Sequence, residues 1–181
     1  MKDSPAHLYR RFRYHMGPMP DPEPADRWAA GHLAGAELEL FGAMSVRDRV
    51  HSVAVARRVE TALACSDASP EGWELRAALL HDAGKALTPL GVAGRVVASL
   101  ADGTAVGAWF VRRSRRADAR PGPLARMGSY LTYPELGASR LESIGSPREV
   151  SAWAREHHLS SEEWTVPAAA GRVLAEADGS A

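Results

Sequence analysis

The stretch that decides the fold is Leu75-Arg76-Ala77-Ala78-Leu79-Leu80-His81-Asp82-Ala83-Gly84-Lys85. Its first six residues are good helix formers and are apolar on most sides, so they predict a buried helix that Gly84 ends. An imidazole and a carboxylate follow directly, although burying either without a partner is costly. His81 and Asp82 therefore indicate either a divalent metal site or a polar pair whose side chains bond to each other.

The sequence on both sides of this stretch predicts further helices, and therefore an all-α, single-domain helical bundle. Residues 45–64 place apolar side chains at three- and four-residue steps, with Ser45 as the N-cap. Residues 92–100 are apolar enough for a core helix or a strand. Ser146-Pro147-Arg148-Glu149 has the pattern of a capping box. We predict helices over residues 28–41, 45–64, 69–83, 134–144, 147–157 and 167–178.

The N-terminal residues predict a flexible, proline-rich tail over residues 1–27, before a helical metal-binding domain over residues 28–181. Residues 16–24 have proline at nearly every other place, which disfavours both helix and sheet. Before them, Tyr9-Arg10-Arg11-Phe12-Arg13-Tyr14 is basic and aromatic. This segment could contact RNA or a protein partner, or it could be a solvated tail that folds partly onto the domain.

The composition is that of an ordinary globular protein, because 45% of the 181 residues are apolar. Lysine plus arginine equals aspartate plus glutamate at 22 each, so net charge gives no general attraction to nucleic acid or to an anionic membrane. Cys65 is the single cysteine, which excludes an intramolecular disulfide. With no apolar run of ~20 residues and no signal-peptide core, we expect a cytoplasmic protein that has no membrane partner.

His51 is the next candidate ligand along the chain. It borders the apolar stripe of residues 46–54, and Asp48 lies three residues earlier, near enough on a helix to orient the imidazole ring. The alternative is a partly buried core histidine beside an ion-paired Asp48.

Two further candidate site residues lie on apolar helix faces. His157 continues the face that contains Trp153, whereas His158 turns away by ~100°. Asp178 follows Leu174 by four residues and so projects on the packed side of the last helix. Each has a plainer interpretation: His157 as a satisfied core histidine, and Asp178 as a solvated acid near a frayed helix end.

These stretches resemble the HD superfamily of metal-dependent phosphohydrolases. The resemblance rests on Arg49-Val50-His51-Ser52-Val53-Ala54, on the Leu-Leu-His-Asp-x-Gly-Lys run that ends at Lys85, and on Ala175-Glu176-Ala177-Asp178. Residues from Tyr133-Pro134-Glu135-Leu136-Gly137 to Glu156-His157-His158 are similar to a subset of the superfamily, so the resemblance covers residues 45–178. It implies an all-α fold and the metal ligands His51, His81, Asp82 and Asp178.

One departure from the superfamily bears on the number of metal ions. Relatives with two metals carry extra histidines between the His-Asp pair and the final aspartate. This chain has no histidine between Asp82 and His157, and Tyr133 stands where many relatives have histidine. Tyrosine, with an ordinary pKa of ~10, is a poor ligand for most divalent ions near neutral pH. We therefore expect one divalent ion per chain, from among Mn, Co, Fe, Zn, Ni and Mg.

The expected reaction is hydrolysis of a nucleotide or small phosphate ester by a metal-activated water. The predicted catalytic residues are Asp82, Lys85 and His157: Lys85 would offset negative charge in the transition state, and His157 would act as general acid or bind a phosphate oxygen. The arginine-rich residues 112–126 are a second cationic element, or a solvated loop. The candidates for substrate contact are Arg95, Arg112, Arg113, Tyr133 and His158.

Two other functions fit the same resemblance. A non-enzymatic HD module would bind a nucleotide or a partner through the arginine-rich loop and the N-terminal segment. A di-iron oxygenase would need two irons per chain, against the expectation of one metal. A (p)ppGpp hydrolase is disfavoured because Ala83-Gly84-Lys85 lacks the acidic pair of that group. We expect a small phosphorylated molecule as the partner, and not a nucleic acid. The sequence does not identify that molecule or the oligomeric state.

Overall fold

The computed structural model describes residues 18–65, 72–88, 90–101, 104–114 and 122–179. Over these residues the chain is all-α and contains no strand, as predicted. The segment at residues 9–14 and the predicted helix start at residues 69–71 lie outside the described residues. The helices are α1 (Glu23–Ala29), α2 (Gly35–Gly42), α3 (Val46–Ala64), α4 (Trp73–Leu80), α5 (Gly84–Leu87), α6 (Val92–Ala101), α7 (Ala105–Ser114), α8 (Pro123–Tyr130), α9 (Tyr133–Ser143), α10 (Arg148–Glu156) and α11 (Ala168–Gly179), with a 3-10 turn at Ser161–Glu163.

Helix α4 is the centre of the bundle. Its residues Ala77, Ala78, Leu79 and Leu80 are completely buried, as the apolar run predicted. Helices α2, α3, α10 and α11 all pack against it. Because α4 is apolar on most sides, it is stable only when neighbours cover it, and α3, α10 and α11 bring polar residues to its C-terminal end.

Helix α3 has the predicted bounds and the predicted cap. The Ser45 hydroxyl accepts a hydrogen bond from the Asp48 amide at 3.2 Å. The most deeply buried residues of α3 are Ser52, Val55, Ala56 and Val59, so its core face is displaced from the predicted stripe at residues 46–54. His51 lies at the edge of that face.

The N-terminal region departs from the prediction in two ways. The predicted tail over residues 1–27 ends too late, because α1 already begins at Glu23 and buries Ala25. Pro22 is its N-cap and Pro24 lies in the first turn, where a helix needs no amide donor and tolerates proline. The single predicted helix over residues 28–41 is two helices, because the chain turns at residues 30–34 and buries Leu33.

Gly84 begins a helix instead of ending one. Helix α4 stops at Leu80, residues 81–83 form a turn, and the short helix α5 starts at Gly84. A Cβ atom at Gly84 would lie 1.9 Å from the Tyr133 carbonyl oxygen and 2.9 Å from the Gly137 amide nitrogen. Glycine is required here because the backbones of α5 and α9 touch, and that contact places Lys85 beside Tyr133.

The predicted capping box at Ser146 and Glu149 is wrong. Helix α9 ends in a Schellman motif, with Gly145 at φ +79° and the Ser146 amide donating to the Leu141 carbonyl at 3.0 Å. Ser146 therefore closes α9, and Pro147 is the N-cap of α10 without a side-chain hydrogen bond. A capping box occurs instead at Ser160 and Glu163.

The helices at residues 133–143, 148–156 and 168–179 follow the prediction, whereas α5, α7 and α8 lie where no helix was predicted. Residues 92–101 are helical, which settles the choice between helix and strand, and α11 closely matches the predicted bounds of residues 167–178. No helix among the described residues is long and apolar enough to cross a membrane.

Candidate metal centre

Three side chains from three helices meet at the C-terminal end of α4. One ligand atom each of His51, His81 and Asp178 lies within 4.8 Å of the others. The Asp178 Oδ1 atom is 3.0 Å from His51 Nε2 and 3.7 Å from His81 Nε2. The predicted ligands His51, His81 and Asp178 are therefore brought together.

The orientation of His81 is fixed by the helix that carries it. This residue is the C-cap of α4 and is 2% exposed. Its Nδ1 atom lies 2.8 Å from the Ala78 carbonyl oxygen, an acceptor, so the hydrogen bond assigns the proton to Nδ1. Nε2 is then the ring atom that faces the carboxylate of Asp178, and it is the atom through which His81 would bind a metal.

Asp178 is held in place by the packing of the last helix. Leu174 and Ala177 are buried, and α11 stays helical to Gly179, so Asp178 is not a frayed terminal acid. Burial raises the pKa of the Asp178 carboxyl, but the hydrogen bond from His51 and the charge of His81 outweigh it and bring the pKa below its usual value. The carboxylate is therefore ionised near neutral pH and available to a cation.

Asp82 adjoins this group but is not one of its three members. Its Oδ2 atom lies 3.5 Å from His81 Nε2 and accepts a hydrogen bond from the Lys85 ammonium. Burial raises the pKa of the Asp82 carboxyl, but the charges of Lys85 and the nearby histidines hold it well below its usual range. The same ion pair raises the pKa of Lys85 against the opposing effect of burial. Both groups are therefore charged near neutral pH.

His157, Tyr133 and His158 form a polar layer behind Asp82. The Tyr133 hydroxyl lies 3.3 Å from His157 Nε2 and also bonds His158 Nε2. His157 Nε2 is 3.8 Å from Asp82 Oδ1, and its Nδ1 lies 3.1 Å from the Ala154 carbonyl oxygen. Of the two neighbouring histidines, His157 is buried and His158 is exposed, as helical geometry predicted.

Burial sets the charge of this layer. It lowers the pKa of His157 well below the usual histidine value, and the charges of His158 and His81 lower it further. Burial and the Asp82 carboxylate together raise the pKa of the Tyr133 hydroxyl well above its ordinary value. Near neutral pH, His157 is therefore a neutral imidazole with its proton on Nδ1, and Tyr133 is a neutral donor. Tyr133 accordingly offers a hydrogen bond to the site and no negative charge.

Asp48 does not orient His51, contrary to the sequence prediction. Its carboxylate accepts two hydrogen bonds from Arg95 Nη1, at 3.0 and 2.9 Å, and one from the Ser45 hydroxyl at 2.6 Å. Asp48 is therefore the anchor that joins α6 to α3. Arg95, predicted to contact substrate, is engaged by this anchor and by the Leu90 carbonyl at 3.1 Å.

The other predicted cations lie on α7, which packs against α8 and α6. Arg112 is exposed and Arg113 half-buried, and neither makes a hydrogen bond or ion pair with another residue in the described part of the chain. Neither contacts the His51, His81 and Asp178 group.

Sequence reasoning missed Tyr130. Its ring lies 5.5 Å from the Tyr133 ring and beneath the guanidinium of Arg95, which is 5.8 Å from the ring centroid. The spacing of three residues between the two tyrosines was the available signal, but they belong to different helices. Tyr130 joins the Asp48–Arg95 anchor to the polar layer of Tyr133, His157 and His158. On that layer the Lys85 ammonium lies 5.1 Å from the Tyr133 ring centroid.

A cavity of about 320 Å³ lies apart from the histidines and acids described above. It borders the bidentate ion pair in which Arg76 donates to Glu37 at 2.9 and 2.7 Å. Its lining residues are His32, Ala34, Ala36, Glu37, Arg76, Ile144, Gly145 and Ser146, none of which belongs to the candidate metal centre.

The donor atoms fit a divalent transition metal. Two imidazole nitrogens and a carboxylate oxygen are ligands that Zn, Fe, Co and Ni accept, and the two nitrogens disfavour Mg, which prefers oxygen. Comparison with known proteins adds no assignment, because no family model, curated protein or solved structure matches the chain. The chemistry of the residues is therefore the basis for a functional proposal.

Proposed function

We propose that this protein is a metal-dependent phosphohydrolase of the HD type, acting on a nucleotide or a small phosphate ester. The observation that carries the proposal is the convergence of His51, His81 and Asp178, which are up to 127 residues apart, on one point beside a buried helix end. Two imidazole nitrogens and a carboxylate oxygen brought this close together are a donor set that a divalent cation binds. The order of the motifs along the chain, which resembles that of the HD superfamily, supports the choice of reaction.

The ligand set that we propose is His51, His81, Asp178 and the adjoining Asp82. When bound, a divalent ion in such a site lowers the pKa of a bound water and polarises a phosphoryl oxygen. The protein contributes an ordered frame, since the Ala78 carbonyl fixes the His81 ring and the docking of α11 fixes Asp178.

Lys85 and His157 are the residues that we assign to the phosphate. The Lys85 ammonium, buried against Asp82 and the Tyr133 ring, is a fixed positive charge that would offset charge on a phosphoryl oxygen. His157 is neutral in the free site, and the negative charge of a bound phosphate would raise its pKa. We therefore place His157 on the leaving-group side, where a proton taken up on Nε2 can be donated.

The test is a phosphate-release screen over nucleotides and sugar phosphates, run on the protein treated with EDTA and then supplied with Mn, Co, Ni, Zn, Fe or Mg. We expect activity that EDTA abolishes and that at least one transition metal restores. His81→Ala should lower the rate by about 100-fold or more, given the sensitivity of metal sites to lost ligand contacts. His32→Ala is the matched control, because His32 packs on Trp28 and takes no part in the centre. Wild-type activity in a folded His81→Ala variant would refute the proposal.

The second candidate is a non-enzymatic HD module. It is favoured by one observation: Lys85 and Arg95, the cations expected to meet a phosphate, are both ion-paired within the protein. Tight binding of a nucleotide without turnover across the panel would support it. Elemental analysis of the purified protein separates both candidates from the oxygenase, which needs two irons per chain.

A further inference from the structure

Helix α7 exposes an apolar face. Ala105, Val106, Ala108 and Trp109 are all exposed, with Val106 at 56% and Trp109 at 46%, and no polar side chain lies among them until Arg112. A surface helix in water normally presents polar residues on its outer face. Exposed apolar surface of this kind marks a place where something binds.

The apolar face of α7 cannot turn inward, because its opposite face is fixed. Gly107 and Phe110 are buried. A Cβ atom at Gly128 of α8 would lie 2.2 Å from the Phe110 carbonyl oxygen, so the two backbones are in contact. Val97, on the neighbouring helix α6, is also exposed at 48% and adds apolar surface. The exposure of Trp109 is therefore a property of the packed fold.

Two arginines, Arg112 and Arg113, lie in the last turn of the same helix. Residues 112–126 contain six arginines and one acid, Asp118, in a chain whose net charge is zero. Arg112 is exposed one helical turn beyond Trp109. An indole and aliphatic side chains on one face, followed by arginines, are the composition of a helix that lies in the interface of an anionic membrane.

We propose that α7 docks on an anionic lipid surface. Trp109 and Val106 would enter the headgroup region, and Arg112 and Arg113 would meet the lipid phosphates. The attraction to anionic lipid comes from a few arginines at one place. The net charge of the whole chain, which is zero, therefore did not predict it. A nucleic-acid strand is the less favoured partner, because such sites stack bases on several aromatic rings and this face has one. The proposal is independent of the phosphohydrolase assignment.

The test uses the full chain with vesicles of phosphatidylcholine alone or mixed with phosphatidylglycerol. Trp109 is the only one of the five tryptophans that is exposed, so its emission reports the contact directly. We expect co-sedimentation with the anionic vesicles only, a blue shift of the tryptophan emission, and weakening by salt. Arg112→Glu with Arg113→Glu should weaken binding by about 25-fold or more, at roughly fivefold per arginine. Trp109→Ala should weaken it about tenfold.

Two control variants are matched to these changes. Met19→Ala removes an apolar side chain that is 66% exposed, and Arg172→Glu reverses an exposed charge on α11. Both should bind like the wild type. Equal binding to both kinds of vesicle, or none, would overturn the proposal. So would retention on single-stranded RNA without vesicle binding, or a lipid-free Trp109 shift that follows dimer formation.

Discussion

The ion pair between Asp48 and Arg95 provides the sharpest test of how the fold holds the site. The two side chains are only 6% and 16% exposed. Asp48→Ala would remove both hydrogen bonds from Arg95 and the bond from the Ser45 hydroxyl. It would leave a largely buried guanidinium with the Leu90 carbonyl as its remaining hydrogen-bond acceptor.

The expected cost is at the lower end of the range for breaking a buried pair. Removing one partner of such a pair typically costs about 3–5 kcal/mol, because the other charge stays buried. Arg95 keeps one hydrogen bond and some contact with water, so we expect about 3 kcal/mol for Asp48→Ala. For a domain of this size, each kcal/mol corresponds to about 2–4 °C, so the melting temperature should fall by roughly 6–12 °C.

A double-mutant cycle with Arg95→Met measures the interaction by chemical denaturation. The double variant should be less destabilised than the sum of the single variants, by about 1–3 kcal/mol, since it leaves no buried charge unpaired. Glu23→Ala is the control, because it breaks an exposed ion pair with Arg27 that should contribute less than about 1 kcal/mol. If Asp48→Ala cost no more than Glu23→Ala, the buried anchor would not exist as described.

Three further predictions concern the centre and its frame. A divalent ion at about 100 times its Kd should stabilise the protein by about 2.7 kcal/mol, a rise of roughly 5–11 °C in a thermal melt, and His81→Ala should abolish the rise; an equal rise in the variant would contradict the site. Burial raises the pKa of Asp82 in the folded protein, but Lys85 and the nearby histidines lower it by more, so the stability that the ionised carboxylate contributes is lost as pH falls below about 4. Lys85→Met removes the strongest of these lowering charges, so the loss should be smaller in the variant. The gap in Tm between Lys85→Met and wild type, measured in EDTA, should therefore narrow from neutral pH to about pH 3, and a widening gap would exclude this ion pair. Gly84→Ala should cost about 3 kcal/mol or more in denaturant titrations, because a Cβ would lie 1.9 Å from a backbone oxygen of α9, whereas Gly42→Ala, with open space around it, should be nearly neutral.

Local signals predicted the central helices well. The apolar run at residues 77–80 predicted the buried helix α4, and Ser45 predicted the start of α3, because both depend on side chains within one or two helical turns. The bounds of α11 also followed from local composition. These are the cases in which a pattern within the segment determines the structure.

Contacts between segments could not be predicted in this way. Nothing near Asp48 in the sequence indicates Arg95, 47 residues later, so the nearer His51 was the natural but wrong partner. Glycine commonly ends a helix, yet Gly84 is needed because a side chain there would collide with the backbone of α9. Ser146 fits the pattern of a capping box for the following helix, yet its amide donates a hydrogen bond to the preceding helix. In each case a long-range or competing contact outweighed a correct local preference.

The charges gathered at the candidate centre indicate why a cation would matter for substrate binding as well as for chemistry. Asp82 and Asp178 are both ionised, Lys85 supplies one positive charge, and His157 is neutral, so these four groups together are net negative. The two carboxylates would repel a phosphate dianion, since like charges at short range in a partly buried place interact strongly. A divalent ion reverses the sign of the local charge and attracts the same dianion. Within the proposed function, removing the metal should therefore weaken phosphate binding itself, even for an analogue that cannot be hydrolysed.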